Sequence, residues 1–249
     1  MKISVITATY NAEKTIEDTL KSVRAQSYTD REHIVIDGAS KDASLAIVER
    51  YAPYLAHVVS EPDHGVYDAM NKGIALASGE VVAFLNADDI YANDGVLARV
   101  AAAFESDVLD AVYADATFVS PEEPGRVVRR YSSARFHSDR IAWGWMPAHP
   151  SLFVRQSLFG RFGLFNPSYR IAGDFEWIAR VFSQPGIRVR YLPEVLVRMR
   201  TGGISTGGWR NTLLLNREVL RACRANGLRS NYLKILSKYP IKLLEFGRG

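Results

Sequence analysis

Val81-Val82-Ala83-Phe84-Leu85-Asn86-Ala87-Asp88-Asp89 decides the fold, because five consecutive apolar residues lead directly into a polar turn with two carboxylates. A short strand that is apolar on both faces is typical of the middle of a parallel sheet covered by helices. Short strands at 3–8, 33–37 and 58–60 precede it, and the segments between them have helical apolar spacing. The alternation predicts a Rossmann-like, doubly wound, mostly parallel α/β sheet with ligands beyond the carboxyl ends of its strands.

Polar side chains stand where three of these strands end, so we expect them to converge on one crevice. The first strand is followed by Thr9 and Asn11, the second by Asp37 and Ser40, and the fourth by Asn86, Asp88 and Asp89. The loop after the first strand has neither the glycine triplet of a dinucleotide fingerprint nor a Gly-Lys-Ser/Thr phosphate loop. Any bound nucleotide must therefore be held by a different arrangement.

The adjacent carboxylates of Asp88 and Asp89 repel one another unless a cation lies beside them. Oxygen ligands favour Mg²⁺ or Mn²⁺ over zinc, and one or two carboxylates together with substrate phosphates often hold Mg²⁺. In the other interpretation, one carboxylate caps the helix that starts near Asn93 while the other faces water. The residues alone leave both interpretations open.

The segment 37–42, which follows the second strand, also has two interpretations. Asp37 could accept hydrogen bonds from a base or ribose, and Gly38 lets a ligand come close to the backbone. Alternatively, the segment is a strand-to-helix turn in which Ser40 caps the next helix. The two interpretations are compatible with each other.

The helix predicted over 66–77 carries three polar neighbours, Asp68, Asn71 and Lys72, at i, i+3 and i+4. These side chains could hold a diphosphate-linked sugar. The alternative is a solvated helix face with an Asp68–Lys72 ion pair. Nothing else in the segment decides between a binding face and a solvated face.

Beyond residue 104 the regular alternation ends. A Pro/Gly turn at 121–125 predicts a hairpin of the strands that flank it. The predicted elements of this half are, in order, strands at 111–119 and 127–131, a helix over 174–182, strands at 187–191 and 195–200, and helices from Trp209 onward.

The composition excludes several classes of protein. The 249 residues are 47% hydrophobic and 23% charged, which is ordinary for a folded domain and excludes disordered, collagen-like and disulfide-stapled chains. The one cysteine, Cys223, cannot form an internal disulfide, so we expect a reducing, cytoplasmic location. The formal net charge of +4 is too small to predict nucleic acid as a partner. No apolar run approaches the length of about 18 residues expected of a membrane-spanning helix.

In their order and content, the segments 7–11, 37–42, 63–73 and 85–89 together resemble the inverting glycosyltransferases of family 2, which have the GT-A fold. The resemblance covers residues 1–205 and is greatest to bacterial enzymes that build colanic acid and similar surface polysaccharides. It implies a glycosyltransferase domain at 1–205, with a nucleotide-sugar-binding half at 1–104 and an acceptor-binding and catalytic-base half at 105–205. A basic helical extension at 206–249 would follow.

The resemblance implies a UDP- or GDP-sugar as donor and Mg²⁺ or Mn²⁺ as cofactor. The metal would lie at Asp88 and Asp89, and Asn86 stands where many relatives have the first acid of their metal motif. The residues implied to contact the nucleotide sugar are Thr7, Ala8, Thr9, Asn11, Asp37, Ser40, Asp42, Asp68, Asn71, Lys72, Asn86, Ala87 and Asp88.

The segment 172–177 matches the position of the family's acidic catalytic segment, with Gly173 in place of the usual first acid. The resemblance therefore implies that Asp174 is the general base, which takes a proton as the acceptor hydroxyl attacks. Without the resemblance, Asp174 is interpreted as an acid stabilised by a helix N-terminus.

Two further segments have a weaker signal. By the same resemblance, His149 would line the acceptor pocket or reach the metal, although a lone histidine is more often a hydrogen-bonded structural residue. Gly202, Gly203 and Ser205 belong to a loop that either closes on the diphosphate or is a plain glycine turn.

The C-terminal stretch 228–244 mixes basic and apolar residues at helical spacing. It either lies on an anionic membrane surface or packs on the core with a solvated basic face. The family resemblance implies a glycan or lipid-linked acceptor at the inner face of the membrane.

Two other functions share features with this sequence. A sugar-phosphate nucleotidyltransferase would have a glycine-rich basic loop after its first strand, which this sequence lacks. A non-catalytic module for nucleotide-sugar binding or polysaccharide assembly would be compatible with Asn86 and Gly173 at positions where relatives have acids.

Overall fold

Strands and helices alternate through the first hundred residues, as the apolar pattern predicts. The structure is a computed structural model that describes residues 1–120, 123, 125–202 and 208–243, with the backbone alone for 241–243. The strands in this part of the chain are β1 (Ile3–Thr9), β2 (Arg31–Asp37), β3 (His57–Ser60), β4 (Val81–Phe84), β5 (Asp89–Tyr91), β6 (Ala111–Val119), β7 (Val127–Tyr131), β8 (Leu152–Arg155) and β9 (Val189–Arg200). The α-helices are α1 (Ile16–Arg24), α2 (Ser44–Arg50), α3 (Val66–Leu76), α4 (Val96–Glu105), α5 (Ser157–Phe162), α6 (Gly173–Phe182), α7 (Trp209–Ala225), α8 (Tyr232–Leu236) and α9 (Lys238–Leu243).

The first half of the sheet is parallel. Strands β3, β2, β1 and β4 lie side by side in that order, so the prediction of a doubly wound α/β sheet is confirmed. Thr9 at the end of β1 pairs with Asp37 at the end of β2, and Ile6 pairs with Phe84. The polar turns that follow β1, β2 and β4 therefore leave from the same edge of the sheet.

The second half of the sheet is mixed. Strand β8 lies antiparallel between β4 and β6, β9 runs parallel to β6, and β5 closes the far edge antiparallel to β9. The hairpin of β6 and β7 is confirmed, and three residues of its turn (121, 122 and 124) lie outside the described residues. The prediction of two strands at 187–191 and 195–200 is wrong, because β9 continues through residues 192–194. Its pairing with β6 shifts in register at 114–116, and this shift accommodates the extra residues between the two predicted strands.

Two hydrophobic clusters cover the two faces of the sheet. One cluster joins Ile6 and Phe84 of the sheet to Trp177 of α6 and to Val219 and Cys223 of α7. The other joins the opposite face of β1 and β4 to α4. Helix α7 thus packs into the same core as the parallel strands, although the sequence assigns it to an extension after residue 205.

Helix α2 starts later than the sequence suggests. It begins at Ser44 with Ala43 as its N-cap, so the prediction that Ser40 caps this helix is wrong. The Ser40 hydroxyl instead donates a hydrogen bond to Asp37 Oδ1. Helix α4 begins after Gly95, and the side chain of Gln26 accepts a hydrogen bond from the backbone N–H of Leu97 in its first turn, so neither Asp88 nor Asp89 has the capping role considered for them.

Candidate functional site

A cleft of about 560 Å³ opens at the carboxyl ends of β1 and β4. Its walls are formed by the residues that follow these strands, the start of α3, His149, and the loop that enters α6. Asp88 lines it from the β4 side, and Asp174 lines it from the α6 side. The two carboxylates that the sequence assigns to metal binding and to proton transfer therefore share one cleft.

The end of β1 lines the cleft with Ala8 and Thr9, and the loop that follows lines it with Asn11. Asn11 has a φ of 50°, a left-handed conformation that asparagine tolerates better than most residues. Its backbone N–H donates to Ser40 Oγ at 2.9 Å, and its Oδ1 accepts from the backbone N–H of Lys41 at 2.8 Å. The loop is therefore held in one conformation by the turn that follows β2.

Asp37, Ser40 and Asp42 lie beside this loop and do not line the cleft. Asp37 is fully buried and accepts hydrogen bonds from the hydroxyls of Ser40 and Ser60. Asp42 accepts from the backbone N–H groups of Glu13 and Ser44. Through Ser40, which binds Asn11, and Asp42, which binds Glu13, these residues hold the loop after β1 in place.

Thr7 does not reach the cleft either. Its hydroxyl is fully buried and lies 2.9 Å from Nε2 of His33. Burial, with a smaller contribution from the charge of Arg31, lowers the pKa of His33 to about 3. The ring is therefore neutral at physiological pH, and the pair is a buried connection between β1 and β2.

Two buried oxygen atoms at the cleft wall have no hydrogen-bond partner within the described residues: Thr9 Oγ1 and Asn86 Oδ1. Leaving a buried polar atom without a partner is unfavourable, and such atoms often mark the place of a ligand, ion or water. Both atoms belong to residues that the sequence assigns to nucleotide-sugar binding. This pair of acceptors is the clearest sign of a ligand site in the structure.

Asp88 and Asp89 point to different places. Asp88 is half-buried and lines the cleft, whereas Asp89 is the first residue of β5, is 4% exposed and does not line it. Arg200 lies behind them, where it forms an ion pair with Asp18 and donates to the backbone carbonyl of Asp88. The structure thus brings one carboxylate of the pair, and not both, to the cleft surface.

Burial raises the pKa of both carboxyl groups. Burial raises the pKa of Asp88, and a backbone hydrogen bond and the charge of Arg200 oppose this effect in part. The pKa of Asp89 is raised well above its usual range, first by burial and then by the negative charge of Asp88. A cation in the cleft beside Asp88 would favour the charged form of the pair.

The donor set at the end of β4 suits a hard divalent cation that is shared with a ligand. Asp88 offers a carboxylate and Asn86 offers a free amide oxygen, both of which are ligands that Mg²⁺ and Mn²⁺ accept. Among the described residues there is no group of three or more histidine, cysteine or acidic side chains that would enclose a metal by itself. The residues therefore fit an ion whose remaining ligands come from phosphate and water.

Asp174 occupies the first turn of α6, where its Oδ1 accepts from the backbone N–H of Phe175 at 2.8 Å. The hydroxyl of Tyr67 on α3 lies 3.1 Å from the same oxygen and 2.6 Å from the carbonyl oxygen of Ile171. Burial raises the pKa of this phenol well above its usual range, so Tyr67 remains protonated as a donor. The carboxylate is oriented by its own helix and by α3.

Gly173 is explained by the same contact. A Cβ atom at this position would lie 2.7 Å from two ring carbons of Tyr67, closer than real Cβ contacts. The aromatic ring occupies the space that a side chain would need. The absence of an acid before Asp174 therefore follows from the packing of Tyr67.

Asp68, Asn71 and Lys72 lie on α3 outside the cleft. Asn71 exchanges two hydrogen bonds with the backbone of Phe165, and Lys72 forms ion pairs with Glu61 at 2.8 Å and Asp68 at 3.8 Å. The Asp68–Lys72 ion pair expected of a solvated helix face is therefore present. These side chains connect α3 to neighbouring loops.

His149 lines the cleft and is also a packed aromatic residue. It is 9% exposed, stacks on Phe84 at 5.4 Å between ring centroids and makes an edge contact with Phe165. Burial lowers its pKa, and the charge of Asp174 opposes this effect. Both interpretations of His149, a cleft wall and a structural residue, are compatible with this position.

Among the cleft residues that sequence reasoning did not assign to the site are Tyr67 and Arg170. Tyr67 lies on an amphipathic helix, where an aromatic residue is normally interpreted as core. Arg170 lines the cleft together with Asp63, Asp88 and Asp174, and its guanidinium has no hydrogen bond or ion pair with any other described residue. An isolated arginine in a loop gives no sequence signal of this placement.

The glycine loop after β9 is only partly described. Gly202 has a φ of 104°, a conformation that favours glycine, and Gly203 and Ser205 lie outside the described residues. The loop leaves β9 directly after Arg200, whose side chain contacts the backbone of Asp88. The start of the loop is therefore close to Asp88 in space, although the two are far apart in the chain.

The chain is similar to known glycosyltransferases in sequence. The model of the family described as glycosyl transferase family 2 matches residues 4–160. A "PGL/p-HBAD biosynthesis glycosyltransferase" of Mycobacterium tuberculosis is 35% identical over 207 residues, which cover 81% of this chain and 78% of that protein. An uncharacterized glycosyltransferase of the same species is 36% identical over 183 residues, covering 72% of this chain and 68% of that protein.

Solved structures of similar fold include Staphylococcus aureus TarS 1–349 in complex with UDP-GlcNAc. That structure has a TM-score of 0.71 and 22% identity, and the match covers 99% of this chain and 73% of TarS 1–349. A mannosyltransferase of Pyrobaculum calidifontis, in complex with GDP-Man and Mn²⁺, has a TM-score of 0.67, 22% identity and coverage of 99% and 73%. At this identity the likeness shows the fold, and the fold is GT-A.

Proposed function

We propose, since the chain belongs to glycosyltransferase family 2 and is a glycosyltransferase, that it transfers a sugar from a UDP- or GDP-sugar to a hydroxyl group with inversion. The observation that carries the proposal is that Asp88 and Asp174, far apart in the chain, line the same cleft. One carboxylate suits the diphosphate side of a donor sugar, and the other suits the acceptor side. The structural neighbours that contain UDP-GlcNAc or GDP-Man support a nucleotide sugar as donor.

The donor side of the cleft is assigned to the ends of β1 and β4. The free acceptor atoms of Thr9 and Asn86 are suited to donors on a nucleotide sugar or to a metal ion, and Asn11 is fixed beside them. The small side chains of Ala8 and Ala87 allow a ligand to approach the backbone closely. Thr7, Asp37, Ser40, Asp42, Asp68, Asn71 and Lys72 then have a supporting role, since none of them lines the cleft.

Asp88, with Asn86 beside it, is the proposed ligand of Mg²⁺ or Mn²⁺, and Asp89 supports it from the interior. When bound, such an ion offsets the charge that develops on a departing diphosphate. The solved mannosyltransferase that contains Mn²⁺ supports this proposal. Arg170 adds a positive charge to the same cleft, where it would attract a phosphorylated ligand.

Asp174 is the proposed general base. As the acceptor oxygen forms a bond with the anomeric carbon, its proton passes to the Asp174 carboxylate, and the bond between that carbon and the diphosphate breaks. The nucleoside diphosphate leaves with the electron pair of the broken bond. A single displacement of this kind inverts the configuration of the anomeric carbon, and Tyr67 keeps the carboxylate oriented toward the cleft.

Donor binding tests this function directly. A donor at about 100 times its dissociation constant should stabilise the protein by about 2.7 kcal/mol, which raises the melting temperature measurably. UDP- and GDP-sugars are screened with Mn²⁺, and the best donor is then assayed for transfer to hydroxyl acceptors. No stabilisation by any nucleotide sugar, or binding without turnover on any acceptor, would contradict the proposal.

The acceptor is proposed to be a lipid-linked glycan, presented to the enzyme at the cytoplasmic surface of a membrane. In the described part of the chain, no helix has the length and apolarity needed to cross a bilayer. Residues 206–249 contain nine lysines and arginines and two acids. Helix α8 buries Ile235 and exposes Tyr232, Leu233 and Leu236, with Leu233 82% exposed. Basic charge beside exposed apolar side chains is the composition of a surface that rests on anionic lipid.

Vesicle sedimentation measures this contact. We expect the protein to sediment with vesicles that contain phosphatidylglycerol and to remain in solution with phosphatidylcholine alone. The double substitution Leu233→Asp and Leu236→Asp should release it, whereas Val108→Asp, at a similarly exposed apolar residue far from α8 in the chain, should not. Equal release by both variants, or no sedimentation with anionic vesicles, would rule out membrane contact through α8.

A further inference from the structure

A buried carboxyl group of α7, that of Glu218, binds the loop that leads into α6. Glu218 is 6% exposed, and its Oε1 accepts from the backbone N–H of Arg170 at 2.9 Å. Its Oε2 accepts from the N–H groups of Ile171 and Ala172, each at 2.9 Å. One side chain thus binds three consecutive backbone donors of a segment that is 46–48 residues away in the chain.

The backbone N–H groups of residues 170–172 do not take part in a strand or helix, so a side chain has to supply their hydrogen-bond acceptor. A carboxyl side chain suits such a set, because its two oxygen atoms can accept several hydrogen bonds at once. If the carboxylate were removed, buried N–H groups would lose their partner and the segment would have to change conformation. Glu218 therefore fixes the backbone of this loop.

The loop leads directly to the reacting side of the cleft. Arg170 and Ile171 line the cleft themselves, and Asp174 follows at the first turn of α6. From the opposite side, the single O–H of Tyr67 is shared between the carbonyl oxygen of Ile171 at 2.6 Å and Oδ1 of Asp174 at 3.1 Å. The loop is held between α7 and α3, with N–H groups bound on one side and a carbonyl bound on the other.

We propose that Glu218 is a positioning residue for Asp174, and that α7 is in this way a required part of the catalytic unit. The inference rests on the proposed function, in which Asp174 is the general base. The remaining buried residues of α7 near Glu218, among them Val219 and Leu220, contact the core through apolar atoms. Arg221 of α7 also donates hydrogen bonds to the loop, but at Ser168, whereas Glu218 binds the three residues 170–172 that lead into α6. The effect of Glu218 on transfer should therefore be separable from the packing of the helix.

The test compares Glu218→Ala, Glu218→Gln and the matched control Val219→Ala in transfer assays and donor titrations. A small displacement of a reacting group can cost about 10²-fold in rate, so Glu218→Ala should lower kcat by about that factor with unchanged donor affinity. Glu218→Gln should lower it by about tenfold, because only one end of the amide accepts hydrogen bonds. Val219→Ala, which removes core contacts of α7, should leave kcat within about threefold at temperatures where it is folded. If Glu218→Ala does not fold, Glu218→Gln decides the outcome alone.

The Asp174→Asn background separates this inference from the proposed function. With the base removed, Glu218→Gln should lower the residual transfer by less than about threefold, because two groups that act as a unit are not additive. Near-normal transfer by Asp174→Asn itself would overturn the proposed function, whatever Glu218 does. If Asp174→Asn is inactive while both Glu218 variants keep wild-type kcat, the positioning role is wrong. If the Glu218 variants bind the donor more weakly at unchanged kcat, Glu218 positions Arg170 for donor binding and not Asp174 for catalysis, which would also overturn the inference.

Discussion

Replacing Asp174 with asparagine is expected to lower sugar transfer by about 10²–10⁴-fold, the usual contribution of a general base. The amide cannot take a proton from the acceptor hydroxyl, but it has nearly the same size and can still accept hydrogen bonds from Tyr67 and from the backbone N–H of Phe175. Donor affinity should therefore stay close to that of the unchanged protein. The measurement is kcat for transfer together with a calorimetric titration of the donor.

Asp139→Asn is the matched control for this variant, since Asp139 is exposed in the segment Ser138–Trp143 and does not line the cleft. It should leave both kcat and donor affinity unchanged. Transfer by Asp174→Asn within about threefold of the wild-type rate would remove Asp174 as the base. Loss of donor binding together with transfer would instead assign Asp174 to donor recognition.

Removing divalent metal is the second change for which a large effect is expected. A metal at the diphosphate contributes several kcal/mol to the transition state, which corresponds to a loss of about 10²-fold or more. Excess EDTA should abolish transfer, and added Mn²⁺ or Mg²⁺ should restore it. Asp88→Asn should cause a loss of the same order and should raise the Mn²⁺ concentration needed for half-maximal activity, because the cleft loses its carboxylate ligand.

Asp94→Asn serves as the control for Asp88, because Asp94 is an exposed acid just beyond β5. Its activity and its Mn²⁺ requirement should equal those of the wild type. Full activity in excess chelator would rule out the metal. An unchanged Mn²⁺ requirement in Asp88→Asn would place the ion at other residues.

The parallel half of the fold was predictable because its signals are local. The apolar run of β4 predicts a buried central strand, and the polar residues after β1 and β4 predict a ligand at their carboxyl ends. The positions of β8 and β5 in the sheet were not predictable in this way. Strand β8 pairs with both β4 and β6, and no spacing within the chain encodes which distant strand it joins.

The site was predictable in part. The family resemblance leads to Asp88 and Asp174, and the structure places both at the cleft. The resemblance also assigns Asp37 and Thr7 to the site, but neither residue lines the cleft. Their buried side chains contact Ser60 and His33, respectively. Whether a polar residue after a strand faces the ligand or the neighbouring turn depends on the register of that strand, which the motif alone does not give.

Glu218 shows the limit of sequence reasoning most clearly. Its partners are three backbone N–H groups, which every residue except proline carries, so no pattern of side chains marks them. Read from the sequence, it is one acid on a basic amphipathic helix. Only the approach of α7 to the loop before α6 gives it a role.

A crystal structure of the Asp174→Asn variant with a UDP- or GDP-sugar and Mn²⁺ tests the proposed transfer mechanism most directly. We expect the diphosphate and the ion to lie beside Asp88, and the anomeric carbon of the sugar to lie between the diphosphate and residue 174. A nucleotide sugar bound outside this cleft would contradict the mechanism, as would a bound sugar whose diphosphate lies on the same side of the anomeric carbon as residue 174.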